Sequence, residues 1–308
     1  MYYSLNDYFR ETFGTKGYKV SLSAGMTCPN RDGTCGDKGC IFCSGSGEFA
    51  QRGSTVTEQI DLAAEKIRHK NKGGRLIAYF QDYTNTYAPV NVLRALFTEA
   101  IMHPEVAVLS IATRPDCLPD EVVNLLAELN RMKPVWIELG LQTIHESTAQ
   151  FIRRGYALSV YDDAVNRLHC VGIQVITHLI IGLPGETPAM LMESVDHVSA
   201  IGTDGVKIHL LHVIRGTDLG DLYLQGKIPT LDYPTYMSLL ARCINRLPSN
   251  VVIHRLTGDG DKRTLIAPLW SADKKHVLNG IKKYFSAENV RQGKNILDIS
   301  LRNLYNDK

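Results

Sequence analysis

An α/β fold, with a parallel sheet curled toward a barrel or part of one, is what this sequence predicts. Short apolar runs alternate with amphipathic stretches of helical spacing along most of the chain, and that alternation means βα units around a parallel sheet. Six such units can be traced in order, and right-handed crossovers curl consecutive units toward a barrel. The chain has 308 residues, 44% of them hydrophobic, enough for a large core, and α/β barrels of this length are often one folding unit. In such folds functional sites gather at the C-terminal ends of the strands.

The elements follow in sequence. A first strand is expected over Tyr18–Ser23, with the loop CPNRDGTCGDKGCIFC (28–43) close behind it. Thr55 and Glu58 have capping-box spacing and predict a helix to about Lys70, ended by Gly73 and Gly74. A strand over Arg75–Phe80 precedes a helix opened by Pro89, a good first helical residue, and reaching Met102. Val106–Ala112 reads as a strand, and Val122, Leu125, Leu126 and Leu129 give the following segment a helical apolar face. Strands are expected over Val135–Leu141, Gln174–Ile181 and Val206–Val213. Helices are expected over His145–Arg153, Ser159–Val171, Ala189–Ile201 and Pro234–Arg246. A strand VVIHRL and a mixed, basic tail complete the chain. The expected division is a core of residues 1–254 with a basic C-terminal extension, 255–308, packed on it.

Composition narrows the setting. The first residues are polar and aromatic without the apolar region of a secretory signal, and no apolar run is long enough to span a bilayer. A soluble, cytoplasmic protein with no membrane partner is therefore expected. Net charge is +2, but it is uneven: residues 255–308 hold 11 Lys and Arg against 6 Asp and Glu, a surplus of five, leaving −3 for the rest. A basic segment of this kind can meet phosphates, although it can equally be ordinary solvated surface. Seven cysteines, an odd number, in a long cytosol-like chain point to metal or catalysis where they cluster. Cys117, Cys170 and Cys243 stand alone and are expected to be buried thiols.

Cys28, Cys35, Cys40 and Cys43 cluster between the first strand and the first predicted helix. The C-x-x-C pair lets two thiolates reach one centre, and Gly33, Gly36 and Gly39 let the backbone fold tightly around sulfur. Four ligands would close a structural zinc site. Three ligands around a [4Fe–4S] cluster would leave one iron open for a ligand. From these residues alone the two stand level; the position after the first strand of an α/β barrel, where chemistry belongs, favours the open cluster.

The sequence resembles the radical S-adenosylmethionine (SAM) superfamily. The resemblance runs from Tyr18 to Val213 and rests on the cysteine loop, YFQDYTNTY, SIATRPD, ELGLQT, IRRGY and THLIIGLPGE, in that order. The series looks like the core shared by the Elongator catalytic subunit and the coproporphyrinogen dehydrogenases. The cysteine spacing departs from the common C-x-x-x-C-x-x-C: eleven residues separate Cys28 from Cys40, a long gap similar to that of the YhcC/YtqA-type branch. That branch does not require a cysteine at the position of Cys35. The resemblance therefore implies a partial (β/α)6 TIM-like barrel in which Cys28, Cys40 and Cys43 hold the [4Fe–4S] cluster.

It also implies how SAM is held. SAM is chelated by the open iron and cleaved by one electron, from a reductase or a flavodoxin or ferredoxin donor, to a 5′-deoxyadenosyl radical that takes a hydrogen atom from substrate. Phe42 matches a position near adenine. Asp82, Tyr83 and Thr84 match the strand-two backbone beside the methionine. Thr113 and Gln142 match positions near the ribose, and Arg154 an arginine that pairs with the SAM carboxylate, a role suited to its planar fork. His178 replaces an aspartate of the porphyrinogen enzymes, and Gly182, with Leu183 and Pro184, follows strand five where backbone lines the adenine. Without the resemblance, Arg154 reads as a surface helix arginine, His178 as a hydrogen-bonded core histidine, and Glu138 as either a satisfied strand carboxylate or a ribose partner.

The motifs speak for radical initiation and leave the substrate open. The nearest resemblance implies transfer RNA, with conversion of wobble 5-carboxymethylaminomethyl-uridine to 5-aminomethyl-uridine. Hydrogen abstraction at the glycine-like CH2, oxidation to an imine and hydrolysis would free the amine. The basic tail would hold phosphates while the target base is splayed into the barrel mouth. Two alternatives remain: a radical SAM enzyme acting on another RNA, a peptide or a metabolite, and a non-catalytic zinc protein that binds RNA.

Overall fold

The computed structural model describes residues 1–44, 53–69, 71, 73–258, 260 and 262–296. Helix α1 (Leu5–Phe13) leads into β1 (Gly17–Leu22), and α2 (Val56–Ile67) into β2 (Arg75–Phe80). Then come α3 (Val90–Met102), β3 (Val106–Thr113), α4 (Asp120–Asn130), β4 (Val135–Gln142), α5 (Glu146–Phe151), α6 (Leu158–Cys170) and β5 (Gln174–Ile181). The chain continues through α7 (Pro188–Ala200), β6 (Gly205–Leu210), β7 (Val213–Ile214), α8 (Asp218–Leu224), α9 (Tyr233–Arg246), β8 (Val252–Arg255), β9 (Leu265–Ala267) and α10 (Lys274–Ala287). The main sheet has order β1-β2-β3-β4-β5-β6-β8 and every pairing in it is parallel. It forms an open half-barrel with β1 and β8 as its edges.

Strand alternation builds both faces. Outward residues such as Leu22, Leu76, Phe80, Ile111, Leu139 and Leu179 pack under the helices in the main core. Inward residues form layers across the half-barrel. The lowest is apolar, with Ile77, Val108, Trp136 and Ile176 closed from below by Phe9 of α1. Gly17 gives Phe9 its place, since a Cβ there would lie 2.7 Å from the Phe9 ring. The middle layer is polar and belongs to the site described below.

Several expectations change. VVIHRL is a strand as expected, and β8 joins the sheet as a seventh parallel strand, one more than a (β/α)6 barrel has. The sixth strand ends at Leu210 rather than Val213, because Val213 leaves the sheet and pairs antiparallel with Ala267 of β9. Pro89 caps α3 from outside rather than opening it, because its ψ of 139° is extended. The helix at Thr55 is capped as expected, with Thr55 Oγ1 accepting from the Glu58 N–H, but ends at Ile67; Lys70 lies outside the described residues. Cys117 and Cys243 are buried thiols, whereas Cys170 ends α6 on its solvent side and is exposed. The basic tail carries β9 and α10, and its last part, 297–308, also lies outside the described residues.

Candidate active site

The cysteine loop is held in place by its neighbours. The Cys28 carbonyl accepts from the Arg31 and Asp32 N–H groups, the Asn30 carbonyl from the Gly39 N–H at 2.6 Å, and the Cys40 carbonyl from the Cys43 N–H at 2.9 Å. Ile41, between the last two cysteines, is the anchor: its N–H donates to Ile152 O and its carbonyl accepts from the Leu219 N–H. Its side chain is buried with Ile152, Ile180, Leu183 and Val213. Asn30 is 4% exposed and donates to the carbonyls of Arg153 and Arg154. Gly155 permits this docking: it has φ +85°, and a Cβ there would stand 2.8 Å from Asn30 Oδ1.

Cys28, Cys40 and Cys43 line one cleft at the C-terminal ends of β2 to β5, together with Tyr83, Thr84, Thr113, Gln142, Arg154 and His178. Cys35 is exposed and lines neighbouring depressions instead. Phe42, Asp82 and Gly182 do not line the cleft. Phe42 packs with the Ile41 cluster, Leu231 lies against Gly182, and Asp82 Oδ2 is buried without a hydrogen-bond partner among the described residues. Burial raises the Cys40 thiol to about 11, and the neighbouring Cys43 and Cys28 add to the shift, as expected for three thiols crowded at one place. No three His, Cys, Asp or Glu side chains among the described residues converge on a single ion. Cys28, Cys40 and Cys43 share one cavity wall.

The backbone is strained around the cleft. Tyr83, Gln142 and Arg153 have φ of 60°, 65° and 56°, and left-handed non-glycine residues concentrate at functional sites. Arg154, 1% exposed, spends its guanidinium on the protein: Nε donates to Tyr156 O, Nη1 to Leu141 O and Thr143 O, and Nη2 to Glu146 and Tyr156 O. Thr113 Oγ1 is 2.6 Å from Thr86 Oγ1. Arg31, Gln81, Arg114 and Tyr156 also line the cleft and are not among the residues expected from the sequence. Arg114 is legible in SIATRPD: an arginine two residues before an aspartate, with which it forms a two-point pair at 2.9 and 2.7 Å.

Below the cysteines the lumen is charged. Glu138 is fully buried, and its oxygens accept from Lys19 at 2.7 Å, Ser110 at 2.7 Å, His178 at 2.8 Å and Lys207. Burial alone would raise its pKa, but Lys19, Lys207 and His178 outweigh it and hold the carboxyl well below its ordinary range. Burial and the Lys207 charge push His178 down to about 4, so at neutral pH it is a neutral donor to Glu138.

The model of the Radical SAM superfamily matches residues 28–198, and that of the Radical_SAM C-terminal domain matches 203–287. YtqA of Bacillus subtilis (strain 168) is 45% identical over 296 residues, covering 95% of this chain and 92% of YtqA. A tRNA uridine(34) acetyltransferase of Methanocaldococcus jannaschii is 27% identical over 154 residues, covering 49% of this chain and 28% of that protein. Among solved structures, Elp3 of Methanocaldococcus infernus superposes with TM-score 0.69 at 17% identity. The match covers 90% of this chain but only 64% of that one, and shows the shared fold. The cysteine loop at the mouth of a parallel half-barrel and the match of the superfamily model to more than half the chain together make this protein a member of the radical SAM superfamily.

Proposed function

We propose that this radical SAM enzyme acts on transfer RNA, converting wobble 5-carboxymethylaminomethyl-uridine to 5-aminomethyl-uridine. Cys28, Cys40 and Cys43 would hold the [4Fe–4S] cluster and Cys35 would take no part. The cluster and SAM supply, when bound, the one-electron cleavage that starts radical chemistry. The observation that carries the assignment is the shared cleft: three cysteines, the strained turns at Tyr83 and Gln142, and the polar lumen all open onto it. Arg31, whose Nη2 donates to Cys43 O at 2.6 Å, fixes the loop and adds positive charge beside the thiolates. Buried Arg114 and Asn30 keep the IRRGY turn closed over the loop from behind, which helps exclude water from the reacting centre.

The substrate reading is supported by the likeness to a protein named for uridine 34 of tRNA. It is supported too by the basic C-terminal segment, where Lys262, Lys274, Lys275, Lys282 and Lys283 are exposed. Tyr83, 39% exposed at the cleft, offers a face on which a splayed base can stack. The electron would come from a reductase or a flavodoxin- or ferredoxin-class donor.

Two measurements test this. After anaerobic reconstitution, Cys28→Ser, Cys40→Ser and Cys43→Ser should each lose the iron–sulfur absorbance and SAM cleavage, and Cys35→Ser should keep both. Loss of the cluster in Cys35→Ser would overturn the ligand set, and a colourless protein with stoichiometric zinc would overturn the radical chemistry. In tRNA from a deletion strain, mass spectrometry should show 5-carboxymethylaminomethyl-uridine accumulating while 5-aminomethyl-uridine and its derivatives disappear. An unchanged nucleoside profile would rule this substrate out.

A further inference from the structure

We infer that the half-barrel lumen beneath the cysteine cleft is a carboxylate-binding subsite, in which the Lys19 ammonium receives an anionic group of the substrate and the Lys207–Glu138 pair positions Lys19. The identity of that group rests on the tRNA reading above: it is the carboxylate of the 5-carboxymethylaminomethyl side chain.

Lys19 and Lys207 both form their ion pair with Glu138, so two ammonium groups share one carboxylate. Glu138 also accepts from Ser110 and His178, which fills the roughly four lone-pair positions of a carboxylate. Its acceptor positions are thus taken, while burial, opposed by Glu138, pulls the Lys207 amine well below its ordinary range. Burying a cation without full compensation is costly, and an anion supplied by a ligand offsets that cost.

Accessibility separates the two lysines. The Lys207 side chain is 3% exposed and also donates to the Tyr79 hydroxyl at 3.0 Å, whereas that of Lys19 is 18% exposed. Lys19, which uses one of its three donors on Glu138, is thus the more accessible of the two. Lys207 is held behind as a positioning residue.

The lumen also holds buried donors or acceptors without partners. His254 Nδ1 and His209 Nε2 make no hydrogen bond among the described residues. The Lys19 charge acts on His254, and the His209 ring lies 5.2 Å from that of His178. A bound carboxylate has an oxygen to offer such groups. Tyr79, Glu138 and His178 line the same cleft as Cys28, Cys40 and Cys43.

The test uses the reconstituted enzyme and anticodon stem-loops carrying either 5-carboxymethylaminomethyl-uridine or 5-methylaminomethyl-uridine, which lacks the carboxylate. Wild type should bind the first at least about tenfold more tightly, as expected when a built site loses its charged partner. Lys19→Met should lose about tenfold on the first stem-loop and little on the second, and Lys19→Arg should keep most of the preference. Thermal unfolding and iron content report whether each variant is folded, and a merely structural role for Lys19 would lower both affinities together. That result, or a wild type with no preference for the carboxylate, overturns the inference. Conversion is measured separately: an intact preference without conversion removes the reaction reading and leaves the subsite standing.

Discussion

Arg154 shows how far a side chain's role depends on what surrounds it. A radical SAM likeness implies an arginine that pairs with the SAM carboxylate, yet every N–H of this guanidinium already has an acceptor in the protein. Four of the five bonds go to backbone carbonyls at the end of β4 and in the IRRGY turn, so Arg154 fastens that turn to the sheet. Lysine has three donors and no fork, and cannot replace it. Arg154→Lys should lower the unfolding free energy by about 2–4 kcal/mol, for two or so charge-assisted bonds lost in a buried site, and reduce iron retention. The SAM affinity of the folded fraction should change little. An unchanged unfolding transition with a large, selective loss of SAM affinity would return Arg154 to carboxylate pairing. A sequence identifies such an arginine but does not show how many of its donors are spent. Glu138 is similar: its place in strand four is legible, while its four partners come from β1, β3, β5 and β6 and meet only when the sheet curls.

Elements are legible where local signals and tertiary packing agree. Strands two and five match residue for residue: Gly73 and Gly74 precede the first, and Gly172 and Gly182 flank the second. Elements set by distant partners are not. The segment Val206–Val213 is continuous in hydropathy, but its last residue pairs with Ala267, more than fifty positions later. Helix α1 is hidden among aromatic residues, although Ser4 and Asp7 form a full capping box at its start. Its use is visible only in three dimensions, where Phe9 closes the bottom of the half-barrel against Trp136. The cleft follows the same division. The loop, ELGLQT and IRRGY mark where it lies; of the residues placed by likeness, Tyr83, Thr84, Thr113, Gln142, Arg154 and His178 line it, whereas Phe42, Asp82 and Gly182 fall outside its lining. Ile41, the neighbour of Phe42, carries the loop's anchoring instead.

At the scale of the whole molecule, the uneven charge becomes a surface. The positive surplus of residues 255–308 includes helix α10, where Lys274, Lys275, Lys282 and Lys283 are all exposed. Val277, Ile281 and Phe285 pack that helix against the core, so the lysines are held on a packed frame. A polyanion bound there releases its counterions, and affinity then falls linearly with salt on logarithmic axes. If this face carries tRNA phosphates, changing all four lysines to glutamine should weaken binding of any tRNA, irrespective of its wobble nucleoside. It should also flatten the salt slope by up to roughly three, since each phosphate left without its lysine takes somewhat less than one from the slope. The substitutions lie on an exposed face, where effects on stability are generally within about 0.5 kcal/mol, so iron content and the unfolding transition provide the control. The contrast with Lys19 would separate the two roles: surface lysines would set affinity and its salt dependence, whereas half-buried Lys19 would set the preference for one nucleoside. A quadruple variant whose slope equals that of wild type would place the phosphate contacts elsewhere and leave α10 an ordinary solvated face.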